Sequence, residues 1–132
     1  MKIIADTNVL LRAVVGDDAA QERVAIETLE RAELVAISAH SLCELVWALE
    51  RGYKTARGDI ASVIRQMLDM RNVVVNRPAV EAGLHLLEAG GDFADGIIAF
   101  EGNWLGGETF VSFDKKAISL MSRHGRLARL LG

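Results

Sequence analysis

The chain has 132 residues, 51% hydrophobic and 25% charged, with a formal net charge of −3, a composition that excludes the disordered, collagenous and coiled-coil classes. No run of about 18 apolar residues is available to span a membrane, and Asp6 and Asn8 interrupt the N-terminal apolar stretch before it could act as an export signal. A single cysteine, Cys43, can form no bridge within the chain, so a reducing, cytoplasmic setting and one domain over residues 1–132 are the expectation.

Lys2-Ile3-Ile4-Ala5 reads as a strand, Asp6-Thr7-Asn8 as a turn, and Val9 to Val15 as a helix stopped by Gly16. Asp17 and Asp18 are placed to cap a second helix, on which Val24, Ile26, Leu29 and Ala32 recur at roughly helical spacing. Leu34–Ile37 is a buried-strand candidate. Ser38–Gly52 and Thr55–Met70 are amphipathic helices, with Leu42, Leu45, Val46 and Leu49 on one stripe and Ile60, Val63, Ile64, Met67 and Leu68 on the other. Val73–Val75 is a third strand, and Pro78 opens a helix that Gly90-Gly91 ends. Asp92–Trp104 is helical, Thr109–Phe113 is the strongest strand by β propensity, and Asp114–Met121 is helical again. Leu127–Leu131 fits either an edge strand or a frayed helix. Apolar strands alternating with helices predict an α/β fold with a mostly parallel sheet of about 4–5 strands covered on both faces.

Ligands in an open parallel sheet bind at the carboxyl ends of its strands. Asp6 closes the first strand and Asp114 the fourth. Asp92 and Asp95, three apart, share a helix face, and Glu44 stands inside an apolar turn. Each has an ordinary alternative: helix capping for the aspartates and solvent exposure for Glu44. Four carboxylates brought together would repel unless a divalent cation neutralised them, and oxygen-only ligation suits Mg²⁺ or Mn²⁺. Setting four acids aside for a cation leaves the remainder of the chain slightly basic. Charge is also uneven: residues 114–132 carry 5 basic and 1 acidic side chains, so the C-terminal end can face a phosphate-bearing partner.

Asp6-Thr7-Asn8-Val9-Leu10-Leu11-Arg12, Ser41-Leu42-Cys43-Glu44-Leu45, Asp92-Phe93-Ala94-Asp95-Gly96-Ile97-Ile98-Ala99 and Thr109-Phe110-Val111-Ser112-Phe113-Asp114-Lys115-Lys116-Ala117 resemble, in order, the four signature blocks of PIN-domain ribonucleases of the VapC toxin type. The resemblance implies a three-layer α/β/α sandwich and a Mg²⁺-dependent endoribonuclease, with Mn²⁺ as a substitute, acting as the toxin of a toxin–antitoxin pair. It implies Asp6, Glu44, Asp95 and Asp114 as the metal-holding and catalytic quartet, and Asn8 as a polar group that helps order them. Asp92 is a cap, a group behind the ligands or an additional ligand. Gly96 stands where the family usually has alanine, a change expected to weaken the helix by up to about 1 kcal/mol. The family also implies an RNA substrate, commonly transfer RNA, a VapB-type antitoxin and a homodimer, for which the apolar surplus around Val63 and Met67 is available.

In such an enzyme water is the nucleophile, and the products carry a 5′-phosphate and a free 3′-hydroxyl. Arg12, Lys115 and Lys116 adjoin the acidic residues and are candidates to contact RNA phosphates. Arg123, Arg126 and Arg129 form a basic stripe only if their segment is helical. His40, His85 and His124 fall in different elements without ligand spacing and read as surface or satisfied residues. Two other readings compete: a catalytically silent interaction module of the same fold, and a Mg²⁺-dependent phosphoacceptor receiver domain. The receiver domain needs an acid pair after the first strand and an acceptor aspartate after the third, where this chain has Asn76.

Overall fold

The computed structural model describes every residue, Met1–Gly132. The chain falls into two compact units, Met1–Arg77 and Pro78–Gly132. No helix is long and apolar enough to cross a membrane.

The first unit runs β1 (Lys2–Ile4), α1 (Thr7–Val14), α2 (Ala19–Arg31), β2 (Leu34–Ala36), α3 (Ala39–Trp47), α4 (Arg57–Asp69) and β3 (Val73–Val74). Its three strands are parallel, with β2 in the middle and Ile3, Val35 and Val73 aligned across the ladder. Val35 is completely buried, as a central β-branched residue facing helices should be. Beyond the strands, the Ala5 N–H donates to Ala36 O at 3.0 Å and the Ile37 N–H to Val74 O at 3.0 Å. The carboxyl ends of β1 and β2 therefore lie side by side, and α1 and α3 both start at that edge. The helix expected over Ser38–Gly52 is α3 followed by a π-helical turn, Ala48–Gly52, closed by the Tyr53 N–H on Ala48 O at 3.2 Å.

The second unit holds α5 (Arg77–Glu88, whose first residue lies before the boundary), α6 (Phe93–Trp104), β4 (Thr109–Ser112), α7 (Lys115–Arg123) and β5 (Leu127–Leu130). Strands β4 and β5 pair in parallel, Thr109 opposite Leu127 through Ser112 opposite Leu130. Their inner residues Phe110 and Ala128 pack on a core of Leu86, Ala99, Leu120 and Met121.

The fold class is α/β and every strand pairing is parallel, as expected. The five strands form one ladder of three and one of two, instead of a single ladder, because each unit carries its own pairing. The ambiguous C-terminal segment is a strand. Arg123 ends α7 while Arg129 sits on β5, so no helical basic stripe exists there.

Gly96 has a packing reason that the sequence does not show. A Cβ at this position would collide with the backbone carbonyl of Ala82 and lie 2.7 Å from Gly83 Cα. A Cβ on Gly83 would in turn lie 2.9 Å from Phe93 O and from the Phe93 ring. Helices α5 and α6 thus meet backbone to backbone, and glycine is the residue that permits it. Its loss of helix propensity is the consequence of a close approach rather than a defect.

Candidate metal centre

Four aspartates stand at helix N-caps, yet they do not behave alike. Asp18 caps α2 by accepting from the Gln21 N–H at 3.1 Å. Asp92 Oδ1 caps α6 by accepting from the Asp95 N–H at 3.2 Å. Asp114 Oδ1 accepts from the N–H groups of Lys116 at 2.9 Å and Ala117 at 3.1 Å. Asp6, at the N-cap of α1, makes no side-chain cap bond, so its exposed carboxylate is not committed to its own helix.

In the first unit, Asp6 lies at the carboxyl end of β1 and Glu44 on α3, which starts just past the end of β2. The Thr7 hydroxyl joins these neighbourhoods by donating to Glu44 Oε1 at 2.8 Å. His40 Nε2 is 3.6 Å from the same oxygen, one helical turn before it. Asn8 is exposed in the first turn of α1. Sequence reasoning passed over Thr7 and His40 here. The i,i+4 spacing of His40 and Glu44 was a usable signal; the bond across 37 residues from Thr7 was not.

In the second unit, Asp95 is half-buried in the first turn of α6. Burial pushes its carboxyl above the ordinary carboxylate range, and the negative charges of Asp92 and Asp114 push it further the same way. Nothing with a positive charge offsets them, which is the setting in which a bound cation has most to gain. Asp92 thereby acts as a cap as well as a charge beside Asp95. The Asp114 N–H donates to Ser112 Oγ at 3.0 Å, fixing the turn from β4 into α7. Lys115 and Lys116, just beyond it, are exposed at the start of that helix.

Within neither unit do three acidic, histidine or cysteine side chains converge closely enough to hold an ion. The first unit contributes Asp6 and Glu44, the second Asp92, Asp95 and Asp114. By donor chemistry these residues fit a hard divalent cation: all are carboxylates, Asp6 is outside its cap, and Asp95 is burdened by like charge.

Arg12 has a partner of its own. Its Nη1 bonds Asp17 Oδ1 at 2.9 Å, and the Tyr53 hydroxyl donates to Asp17 Oδ2 at 3.0 Å. The hydrogen bond from Tyr53, then that from Arg12, holds Asp17 below the usual carboxylate range, while the bond to Asp17 raises Arg12. Asp17 is therefore not the cap of α2. The histidines fit the surface reading: His85 lies 4.0 Å from Glu81 and His124 Nδ1 is 2.8 Å from Leu120 O.

An apolar cavity of about 410 Å³ opens in the first unit among α1, α2 and α4, lined by Leu10, Val14, Ile26, Val63, Met67 and Met70, with Glu30 and Gln66 also on its wall. A family model described as PIN domain matches residues 3–122. No curated protein matches the chain.

Proposed function

The chain belongs to the PIN-domain family, and from that membership we propose that it is a metal-dependent endoribonuclease, the toxin of a VapC-type toxin–antitoxin pair. PIN domains are typically metal-dependent nucleases, and the observation in this chain that carries the reading is Asp95. It is a half-buried carboxylate set beside Asp92 and Asp114 with no cationic side chain among the groups that shift it. Such an arrangement works against folding and is explained by a ligand that reverses it.

In this reading Asp6, Glu44, Asp95 and Asp114 hold Mg²⁺, with Mn²⁺ as a substitute. When bound, that ion supplies polarisation of the phosphodiester and lowers the pKa of an attacking water. Asp114 has its Oδ1 fixed by two backbone N–H groups, which holds the carboxylate in one orientation and keeps Oδ2 outside the cap. Asp92 orients the first turn of α6 and so the direction in which Asp95 projects. Lys115 and Lys116 contact RNA phosphates from the start of α7, where both residues are exposed. Arg12 joins them only by giving up Asp17. The substrate is RNA, with transfer RNA the first class to test.

The antitoxin and a second copy of the chain complete the reading. The apolar cavity among α1, α2 and α4 supports the docking of an apolar segment on this face, and α4 supplies Val63 beside it, with Met70 just past its end.

The test is RNA cleavage by the purified protein with and without Mg²⁺, beside Asp6→Asn and Asp95→Asn. Each substitution is expected to lower cleavage at least about 100-fold, and the products are expected to carry 5′-phosphates. Cleavage that survives both substitutions, or a 2′,3′-cyclic phosphate on the product, removes this function.

A further inference from the structure

The Thr7 hydroxyl makes a bond that its own helix does not require. Thr7 is the first residue of α1, and instead of bonding its own turn its Oγ1 reaches a side chain 37 residues away, donating to Glu44 Oε1 at 2.8 Å. Glu44 itself sits on α3 with its side chain 55% exposed, an environment in which a glutamate samples several rotamers unless something holds it. His40 Nε2, 3.6 Å away, also faces Oε1. Both neighbours therefore address one oxygen, and Oε2 is left as the one facing neither.

From this geometry we infer that Thr7 is a positioning residue: its hydroxyl fixes the Glu44 carboxylate so that Oε2 is presented to the cation. The inference rests on the reading of Glu44 as a cation ligand. Threonine suits the task because a single stiff side-chain torsion places its donor, so little freedom is lost in making the bond. Partners that orient a ligand in this way contribute strongly to metal affinity even though they never touch the ion. A role in folding alone is a poor explanation, because the bond lies at the surface, where its loss exposes the carboxylate to water and leaves nothing buried and unsatisfied.

The experiment is calorimetric titration of Mn²⁺ into the wild-type chain, Thr7→Val, Thr7→Ser and Glu44→Gln, with thermal unfolding of each in the absence of metal. Thr7→Val keeps the shape and removes the donor, and is expected to weaken Mn²⁺ binding about 10- to 100-fold. Its metal-free melting temperature is expected to stay at the wild-type value. Thr7→Ser, which restores the donor, is expected to recover most of the affinity. Wild-type affinity in Thr7→Val overturns the inference, as does equal weakening in Thr7→Ser, which would assign the effect to packing. Those results leave the proposed function standing if Glu44→Gln still loses binding. A wild-type chain that takes up no Mn²⁺, or a Glu44→Gln variant that binds it as well as wild type, overturns the inference together with the ligand assignment beneath it.

Discussion

Asp95 couples the candidate chemistry to stability through a single proton. Its carboxyl titrates above the ordinary range because burial comes first and the charges of Asp92 and Asp114 add to it. A carboxylate raised in this way binds its proton more tightly folded than unfolded, so the metal-free protein loses stability as pH rises from the unfolded-state pKa, about 3.9, to the folded value. Above that value the loss is complete and constant. Asp95→Asn removes the charge at nearly constant shape. It is therefore expected to raise the melting temperature of metal-free protein at neutral pH, with the gain vanishing below about pH 4. If Mn²⁺ binds as proposed, the same variant is expected to forfeit the stabilisation it brings, about 2.7 kcal/mol at 100 times the dissociation constant. Thermal unfolding across pH, with chelator and with Mn²⁺, measures both effects; a variant less stable than wild type at neutral pH would refute this account of Asp95. The spelling of the chain located Asp95 but not its environment. Asp6, Asp18, Asp92 and Asp114 all precede helices and look alike in sequence, yet three of them cap and Asp6 does not. Capping depends on the side-chain torsion and on what competes for the oxygen, and neither is written in the residue type.

Helix α6 is where sequence and structure diverge most usefully. Judged by propensity, Gly96→Ala should stabilise the helix by up to about 1 kcal/mol. Judged by packing, the added methyl meets backbone atoms of Ala82 and Gly83 that have no rotamer through which to yield, and overpacking of that kind costs about 1–3 kcal/mol. The packing cost outweighs the propensity gain, so Gly96→Ala is expected to lower stability, by up to about 2 kcal/mol net of the full propensity gain. Because α5 and α6 must then separate, and Asp95 immediately precedes Gly96, Mn²⁺ affinity is expected to fall with it. Denaturant unfolding and Mn²⁺ titration read the two losses, and a variant more stable than wild type would show that propensity wins. Regular elements were legible wherever a clear local signal stood in the chain: α4 from its apolar spacing, α5 from Pro78 at its start and Gly90-Gly91 at its end, and β1 and β2 from short apolar runs between polar turns. The C-terminal strand was not, because Leu127-Ala128-Arg129-Leu130 has a pattern compatible with either period, and its strand character comes from pairing with β4. The π-helical turn after α3 was equally hidden, since Tyr53 closes it with a backbone bond to Ala48 that no side-chain pattern reports.

At the scale of the whole molecule, the family match runs through both units, and the acids are divided between them, Asp6 and Glu44 in the first, Asp95 and Asp114 in the second. Association is a matter of which apolar surface is left over. On α4, Ile60, Ala61, Ile64, Met67 and Leu68 are buried while Val63 is only half-buried, and Val63 lines the cavity with Leu10, Ile26 and Met70. Met67, equally apolar, is too well buried to report on anything but folding. Val63→Glu places a carboxylate in an apolar rim. Left in water it is tolerated, but enclosed by a second copy without a partner it costs several kcal/mol. Under the proposed homodimer, the variant is therefore expected to sediment as a monomer at concentrations where the wild type associates, with a melting temperature within a few degrees of wild type. The cavity is also the proposed seat of an antitoxin segment, so the same substitution is expected to weaken inhibition by that partner while leaving the carboxylates, and Mg²⁺-dependent cleavage, in place. A dimer that survives Val63→Glu at wild-type strength takes α4 out of the interface, because no buried apolar contact accommodates an unpaired charge at that cost.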